Sequence, residues 1–270
     1  MKSLIVVGAV LVSSTNACAQ SQEDWIVLRQ LAASVMQIQA MVDGNASIAS
    51  AVGFTSQLAV TNCHVVGASL DARLMRGPLS TPATLKVRDS AHDICLLGVE
   101  ASPAFVPNIG RAEALNPGDK VYAVGFGMGR LTTSVGKVEA LYRYEGSVVV
   151  RISAAFSMGA SGGGLFDSNR RLVGILTFYR HGHEAHAYYA LPIEWATQLA
   201  TSTETGLTSA YATPFWELPG DMQPFFLQVA GHEIDGEWNK MLKLSERWVA
   251  AEPGNVEAKR ALELARGKLR

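Results

Sequence analysis

Ser153-Ala154-Ala155-Phe156-Ser157-Met158-Gly159-Ala160-Ser161-Gly162-Gly163-Gly164-Leu165-Phe166-Asp167 is the stretch on which the reading of the chain turns. Three glycines directly after a serine, and a fourth two residues before it, give a backbone free to turn tightly and to aim N–H groups at one point. Ser161 is therefore a candidate nucleophile. Serine is weakly nucleophilic at neutral pH, so the role requires a base within hydrogen-bond reach and a third group that orients the base. Upstream, Leu58-Ala59-Val60-Thr61-Asn62-Cys63-His64-Val65-Val66 puts His64 at the end of an apolar run. Ala91-His92-Asp93-Ile94-Cys95-Leu96-Leu97 puts Asp93 at the start of another.

In chain order, Thr61-Asn62-Cys63-His64-Val65, Asp93-Ile94-Cys95-Leu96-Leu97 and Gly159-Ala160-Ser161-Gly162-Gly163 resemble the motifs of the trypsin-like serine peptidases of chymotrypsin fold, most nearly the bacterial high-temperature-requirement type. Each motif alone is weak, because glycine-rich turns after a serine are common, but three in this order are specific. The resemblance covers about Ser34 to Trp195. It implies an all-β fold of two antiparallel six-stranded β-barrels, the first over about 30–110 and the second over about 115–195, with the active site in the cleft between them.

The same resemblance implies a serine endopeptidase acting on a polypeptide through an acyl-enzyme, with no cofactor and no metal. His64 is the general base, Asp93 orients it, and the backbone N–H groups of Gly159 and Ser161 form the oxyanion hole. Ala155 stands where trypsin has its pocket-floor aspartate. Thr177-Phe178-Tyr179 matches the strand that pairs with substrate backbone, and Tyr179 stands where trypsin has glycine. These substitutions imply cleavage after small or medium apolar residues such as Ala or Val. Ala160 replaces the aspartate that receives the new N-terminus of activated trypsin, and Gly164 replaces a proline of the high-temperature-requirement type. Neither change removes a catalytic group. The competing reading is a catalytically inactive protein of the same fold, acting as a binding or chaperone-like module.

The pattern outside the motifs agrees with an all-β body. Ser34-Val35-Met36-Gln37-Ile38-Gln39-Ala40 alternates with period two, as a half-buried strand does. Asp43-Gly44 reads as a hairpin turn, and short strands separated by Gly/Pro/Asn punctuation continue to about Val150. Asp24 to Leu31 is compatible with a short helix. The formal net charge is −1, so neither nucleic acid nor an anionic membrane surface is an expected partner. Met1-Lys2, the apolar run 4–12 and Ala17-Cys18-Ala19 read as a signal peptide over residues 1–19, which implies an exported, periplasmic or secreted protein. The apolar run is well short of the about 20 residues a membrane-spanning helix needs.

Without that leader, Cys63 and Cys95 remain, each beside a proposed triad member. If His64 and Asp93 touch, the two cysteines lie close, either as a disulfide or as two buried thiols. His92 adjoins Asp93, and strand alternation would turn it away from His64, toward the surface. His181, His183 and His186 have spacing suggestive of a metal site, but a solvent-exposed hairpin tip is the default there.

The peptidase region is assigned to 20–200, a linker to 201–213 and a helical extension to 214–270. Gly236 to Trp248, followed by Pro253-Gly254-Asn255 and Ala258 to Leu269, resembles part of a tetratricopeptide array. One and a half repeats cannot stack into a solenoid. A helical extension packed on the second barrel is the plainer reading, and recruitment of a protein partner is the other. A homo-oligomer is also open, since many relatives assemble into trimers.

Overall fold

The computed structural model describes residues 14–42, 44–69, 71–100, 105–202 and 212–270. Residues 1–13 of the expected leader, Asp43 of the expected turn and residues 203–211 of the expected linker lie outside them.

Six strands build the first barrel: β1 (Val35–Val42), β2 (Asn45–Gly53), β3 (Leu58–Thr61), β4 (Asp71–Arg76), β5 (Leu79–Asp89) and β6 (Ile94–Val99). They run around the barrel as β1-β2-β3-β6-β5-β4, and β1 pairs with β4 to close it. The second barrel is built from β7 (Lys120–Gly127), β8 (Arg130–Tyr144), β9 (Ser147–Ile152), β10 (Gly164–Asp167), β11 (Leu172–His181) and β12 (His186–Pro192). Its order, β7-β8-β9-β12-β11-β10, repeats that of the first, and β7 pairs with β10. The expected strands therefore continue past Val150 to Pro192. Closure pairs strands that would otherwise be exposed edges.

The alternation of side chains distributes the apolar residues among three cores. On β6, Cys95 and Leu97 point into the first barrel, while Ile94 and Leu96 point into the layer between the barrels. Val121, Ala123, Val150, Ile152 and Leu165 fill the second barrel. Val52, Val60 and Leu96 meet Val124, Phe166 and Ile175 between the two. Each such fully buried aliphatic or aromatic side chain contributes about 1.5–3 kcal/mol. The cleft that holds the candidate site is thus founded on a continuous apolar layer.

Among the described residues, six α-helices decorate the barrels. Helix α1 (Ser14–Ala32) is longer than the expected 24–31 segment and docks on the second barrel, where the Tyr122 hydroxyl donates to Asp24 at 2.9 Å and Lys120 pairs with the same carboxylate. Helix α2 (Cys63–Val66) is a single turn, and α3 (Ile193–Thr201) follows the last strand. The extension contains α4 (Phe225–Ile234), α5 (Trp238–Ala251) and α6 (Val256–Lys268). Asn255 caps α6, its side-chain oxygen accepting from the Ala258 N–H at 3.1 Å.

These three helices share a core with the second barrel rather than standing apart from it. Phe226 stacks on Tyr142 with ring centroids 4.7 Å apart. Arg151 on β9 pairs with Glu139 on β8 at 2.9 Å and with Glu233 on α4 at 2.7 Å. Burial pushes the Tyr142 hydroxyl up to about 12. The Ile234 carbonyl accepts from the backbone of Glu184 and Ala185, which pins α4 to the β11–β12 hairpin. Among the described residues, no helix is long and apolar enough to cross a membrane.

Candidate active site

His64 sits on α2, directly after β3, and Asp93 sits in the turn that leads into β6. Because β3 and β6 are neighbours, with Thr61 opposite Cys95, their adjoining residues meet. Asp93 Oδ1 accepts from the His64 backbone N–H at 2.8 Å, and Asp93 Oδ2 lies 2.7 Å from His64 Nδ1. The Asp93 carbonyl accepts from Asn62 Nδ2 at 3.0 Å. Asp93 is fully buried and adopts φ 59°, a left-handed conformation that a non-glycine residue holds only when its surroundings fix it. Cys63 and Cys95 are joined as a disulfide with Cα atoms 5.0 Å apart, so the pair that the sequence left open is bonded. The bridge ties the residue before His64 to the second residue after Asp93.

Burial pulls the His64 pKa down, but Asp93 and the more distant Glu217 outweigh it, and the imidazole stays basic above the ordinary histidine value. This imidazole, held through Nδ1 by a buried carboxylate, presents Nε2 as its free proton acceptor.

Ser161 lies in the turn between β9 and β10. Gly159 has φ 92° and Gly162 φ 84°. A Cβ on Gly162 would fall 2.0 Å from the Ser50 carbonyl oxygen, and one on Gly159 would fall 2.6 Å from that of Phe126. These glycines are therefore required by close backbone approach as well as by conformation. No acceptor among the described residues takes the Gly159 or Ser161 N–H, and both remain available for an oxyanion. The Ser161 hydroxyl donates to the Thr177 carbonyl at 2.8 Å. To reach His64 it must turn away from that carbonyl.

Ser50 on β2 was not singled out from the sequence. Its backbone N–H donates to the Ser161 carbonyl at 2.9 Å, its hydroxyl donates to the Gly159 carbonyl at 2.8 Å, and the Phe126 N–H donates to that hydroxyl at 2.7 Å. One residue of the first barrel thereby braces the serine turn of the second. Nothing in its local sequence, Ile48-Ala49-Ser50-Ala51, marks it.

Thr177, Phe178 and Tyr179 lie on β11 beside the serine turn. Beyond Leu176 this strand pairs only with β12 among the described residues, so its other edge is open. Phe178 is covered on both faces, stacked on Tyr189 at 4.6 Å and on Trp216 at 5.0 Å. Tyr179 packs edge-on against Phe156 at 5.9 Å. Ala155 is exposed and borders a cavity of only about 10 Å³, shared with Phe156 and Leu176.

His92 is not a surface residue. It is half-buried, with Nδ1 2.6 Å from Asp89 and Nε2 2.8 Å from Glu145 of the second barrel, and it lies over Trp195 at 4.1 Å. Strand alternation misplaces it because Asp93 is in a turn rather than a strand. The His181 and His186 rings lie 4.2 Å apart at the end of the β11–β12 hairpin, whereas His183 is 90% exposed. Among the described residues, no group of three or more His, Cys, Asp or Glu side chains is placed to hold a metal ion.

Residues 49–175 match the family model of the trypsin-like peptidase domain. The chain is 30% identical over 157 residues to a putative serine protease, HhoB, of Synechocystis, an alignment covering 54% of this chain and 37% of that one. It is 32% identical over 176 residues to a probable periplasmic serine endoprotease, DegP-like, of Ectopseudomonas mendocina, covering 61% and 35%. Both alignments span little more than a third of the relative's length. Among solved structures, the HtrA-type protease AlgW with tripeptide superposes with a TM-score of 0.59 at 24% identity, over 65% of this chain and 62% of that one, a likeness of fold. Two closed six-stranded barrels, with His64, Asp93 and Ser161 where they meet, thus underlie a chain whose residues 49–175 match the trypsin-like peptidase domain model and which is similar in sequence to serine proteases of the DegP type.

Proposed function

We propose that the chain is a serine endopeptidase that hydrolyses peptide bonds of exported or periplasmic polypeptides. The observation that carries this reading is the fully buried Asp93, bound through both oxygens to His64 and placed across the cleft from a serine turn with two unclaimed N–H groups. A peptide pairing with the open edge of β11 at Thr177–Tyr179 would bring its carbonyl to Ser161. His64 Nε2 takes the hydroxyl proton as the oxygen attacks, and Asp93 stabilises the imidazolium that forms. The Gly159 and Ser161 N–H groups meet the oxyanion; such a donor is typically worth about 10²–10³ in rate. The imidazolium then protonates the leaving amine, and water repeats the sequence on the acyl-enzyme.

The aromatic packing of Tyr179 on Phe156 and the small space beside Ala155 support cleavage after small or medium apolar residues such as Ala or Val. On this reading residues 1–19 are a leader, 20–200 the peptidase region, 201–213 a linker and 214–270 an extension. In sequence α5 resembles the second helix of a tetratricopeptide repeat and α6 the first helix of the next, and we assign the pair a docked, structural role.

One observation favours a second reading, a binding module without turnover: the Ser161 hydroxyl is engaged by Thr177 rather than by His64. Incubation with an unfolded casein and a mixed peptide library separates the two. The peptidase reading expects cleavage by the wild type, none by Ser161→Ala, and Ala or Val before the scissile bond. Casein left intact by folded wild-type protein would favour the binding module, and a profile dominated by Arg, Lys or Glu would refute the specificity.

A further inference from the structure

Trp216 reaches the site from the C-terminal segment, 123 residues after Asp93. Its indole N–H donates to Asp93 Oδ2 at 3.2 Å, the same oxygen that lies 2.7 Å from His64 Nδ1. The ring is fixed on two sides, stacked on Phe178 at 5.0 Å and 12° and set edge-on to His64 at 5.4 Å and 80°. The segment is anchored as well. The Phe215 N–H donates to the Ala91 carbonyl at 3.1 Å, two residues before Asp93, and Gln223 Nε2 donates to the Trp216 carbonyl at 3.0 Å. Thr177, the other polar side chain of this corner, gives Asp93 nothing: its hydroxyl donates to the Ile175 carbonyl and accepts from Asn62. Among the described residues, Trp216 and His64 are therefore the only donors to the Asp93 carboxylate.

We propose that Trp216 is a positioning residue of the catalytic triad, through which the C-terminal extension completes the active site. The inference rests on the peptidase reading only for its kinetic consequence. A buried carboxylate needs its lone pairs filled, and a donor in a fixed ring sets the carboxylate plane as well as sharing its charge. With that donor removed, the charge concentrates on the bond to His64 and the imidazolium is favoured further. The charged groups facing His64 are Asp93 and Glu217, and the latter adjoins Trp216 and also raises the His64 pKa. Burial raises the Glu217 carboxyl in turn, with His64 opposing and Asp93 adding to the shift.

The test uses the full chain with Trp216→Phe, which keeps an aromatic ring against Phe178 and removes the N–H together with part of the indole surface. Benzothienylalanine incorporated at position 216 serves as an isosteric second variant should the phenylalanine form fold poorly. The His64 imidazole is titrated by NMR, and kcat and KM are measured on one peptide across pH. The expected result is a His64 midpoint moved to higher pH, kcat lowered about tenfold with KM near the wild-type value, and an acid limb that follows the midpoint. An unchanged His64 midpoint overturns the proposal whatever the rate does, as does an active variant with unchanged kcat. The titration needs no turnover. A wild type without activity whose His64 still shifts in the variant would therefore refute the peptidase reading while leaving the positioning role standing.

Discussion

At the scale of the residue, the site is an exercise in fixing one imidazole. His64 receives its orientation from Asp93, and Asp93 receives its own from the disulfide-tied turn, from Asn62 and from Trp216. The charge balance around His64 has a direct consequence for pH. The base must be neutral to accept the serine proton, and its pKa is raised, so activity should rise with pH through a midpoint above that of an ordinary histidine. A kcat/KM profile on a neutral peptide checks this, and a midpoint at or below the ordinary value would contradict it. The same shift means that the folded state holds this proton more tightly than the unfolded chain does. Its contribution to stability is therefore full below the ordinary histidine pKa and is lost as pH rises through the raised one.

At this scale the sequence was most readable where the candidate site is built from short local motifs. Thr61 to Val65, Asp93 to Leu97 and Gly159 to Gly163 each carry their residue type and spacing within five positions. Trp216 and Ser50 were not readable, because what gives them a place at the site is a contact across 123 residues in one case and 109 in the other. His92 was misread for a related reason: period-two alternation holds within strands, and the left-handed Asp93 breaks it.

At the scale of the element, the serine turn depends on a strand of the other barrel. β2 reaches the turn through Ser50, whose hydroxyl receives the Phe126 N–H and gives its own hydrogen to the carbonyl of Gly159, the residue whose N–H is one of the two proposed oxyanion donors. Ser50→Ala leaves both of those backbone groups without their partner in a half-buried place, where a lost hydrogen bond costs about 1–3 kcal/mol. The loosened turn should show in catalysis before it shows in folding. We expect kcat to fall by about tenfold or more with KM little changed and the fold retained by circular dichroism. Wild-type kcat in a folded Ser50→Ala variant would show that the turn is rigid without β2. The strands themselves were legible from alternation and turn residues, but the length of α1 was not, since its contact with Lys120 and Tyr122 lies about a hundred residues away.

At the scale of the whole molecule, the two barrels and the extension form one packed unit. The apolar layer that joins the barrels also contains Phe215, Phe226 and Trp248 of the C-terminal segment, and Trp216, packed against that layer, reaches Asp93. The extension is thus continuous with both the core and the site; its packing on the second barrel was the plainer reading of the sequence, whereas its contact with Asp93 had no sequence signal. Everything functional in this account depends on Ser161 being made nucleophilic by its surroundings. The most direct measurement is labelling of the purified protein with a fluorophosphonate, with the modified residue located by mass spectrometry. We expect a single adduct on Ser161, abolished in His64→Ala and in Ser161→Ala. Folded wild-type protein that takes no label, or takes it equally in His64→Ala, would contradict the account.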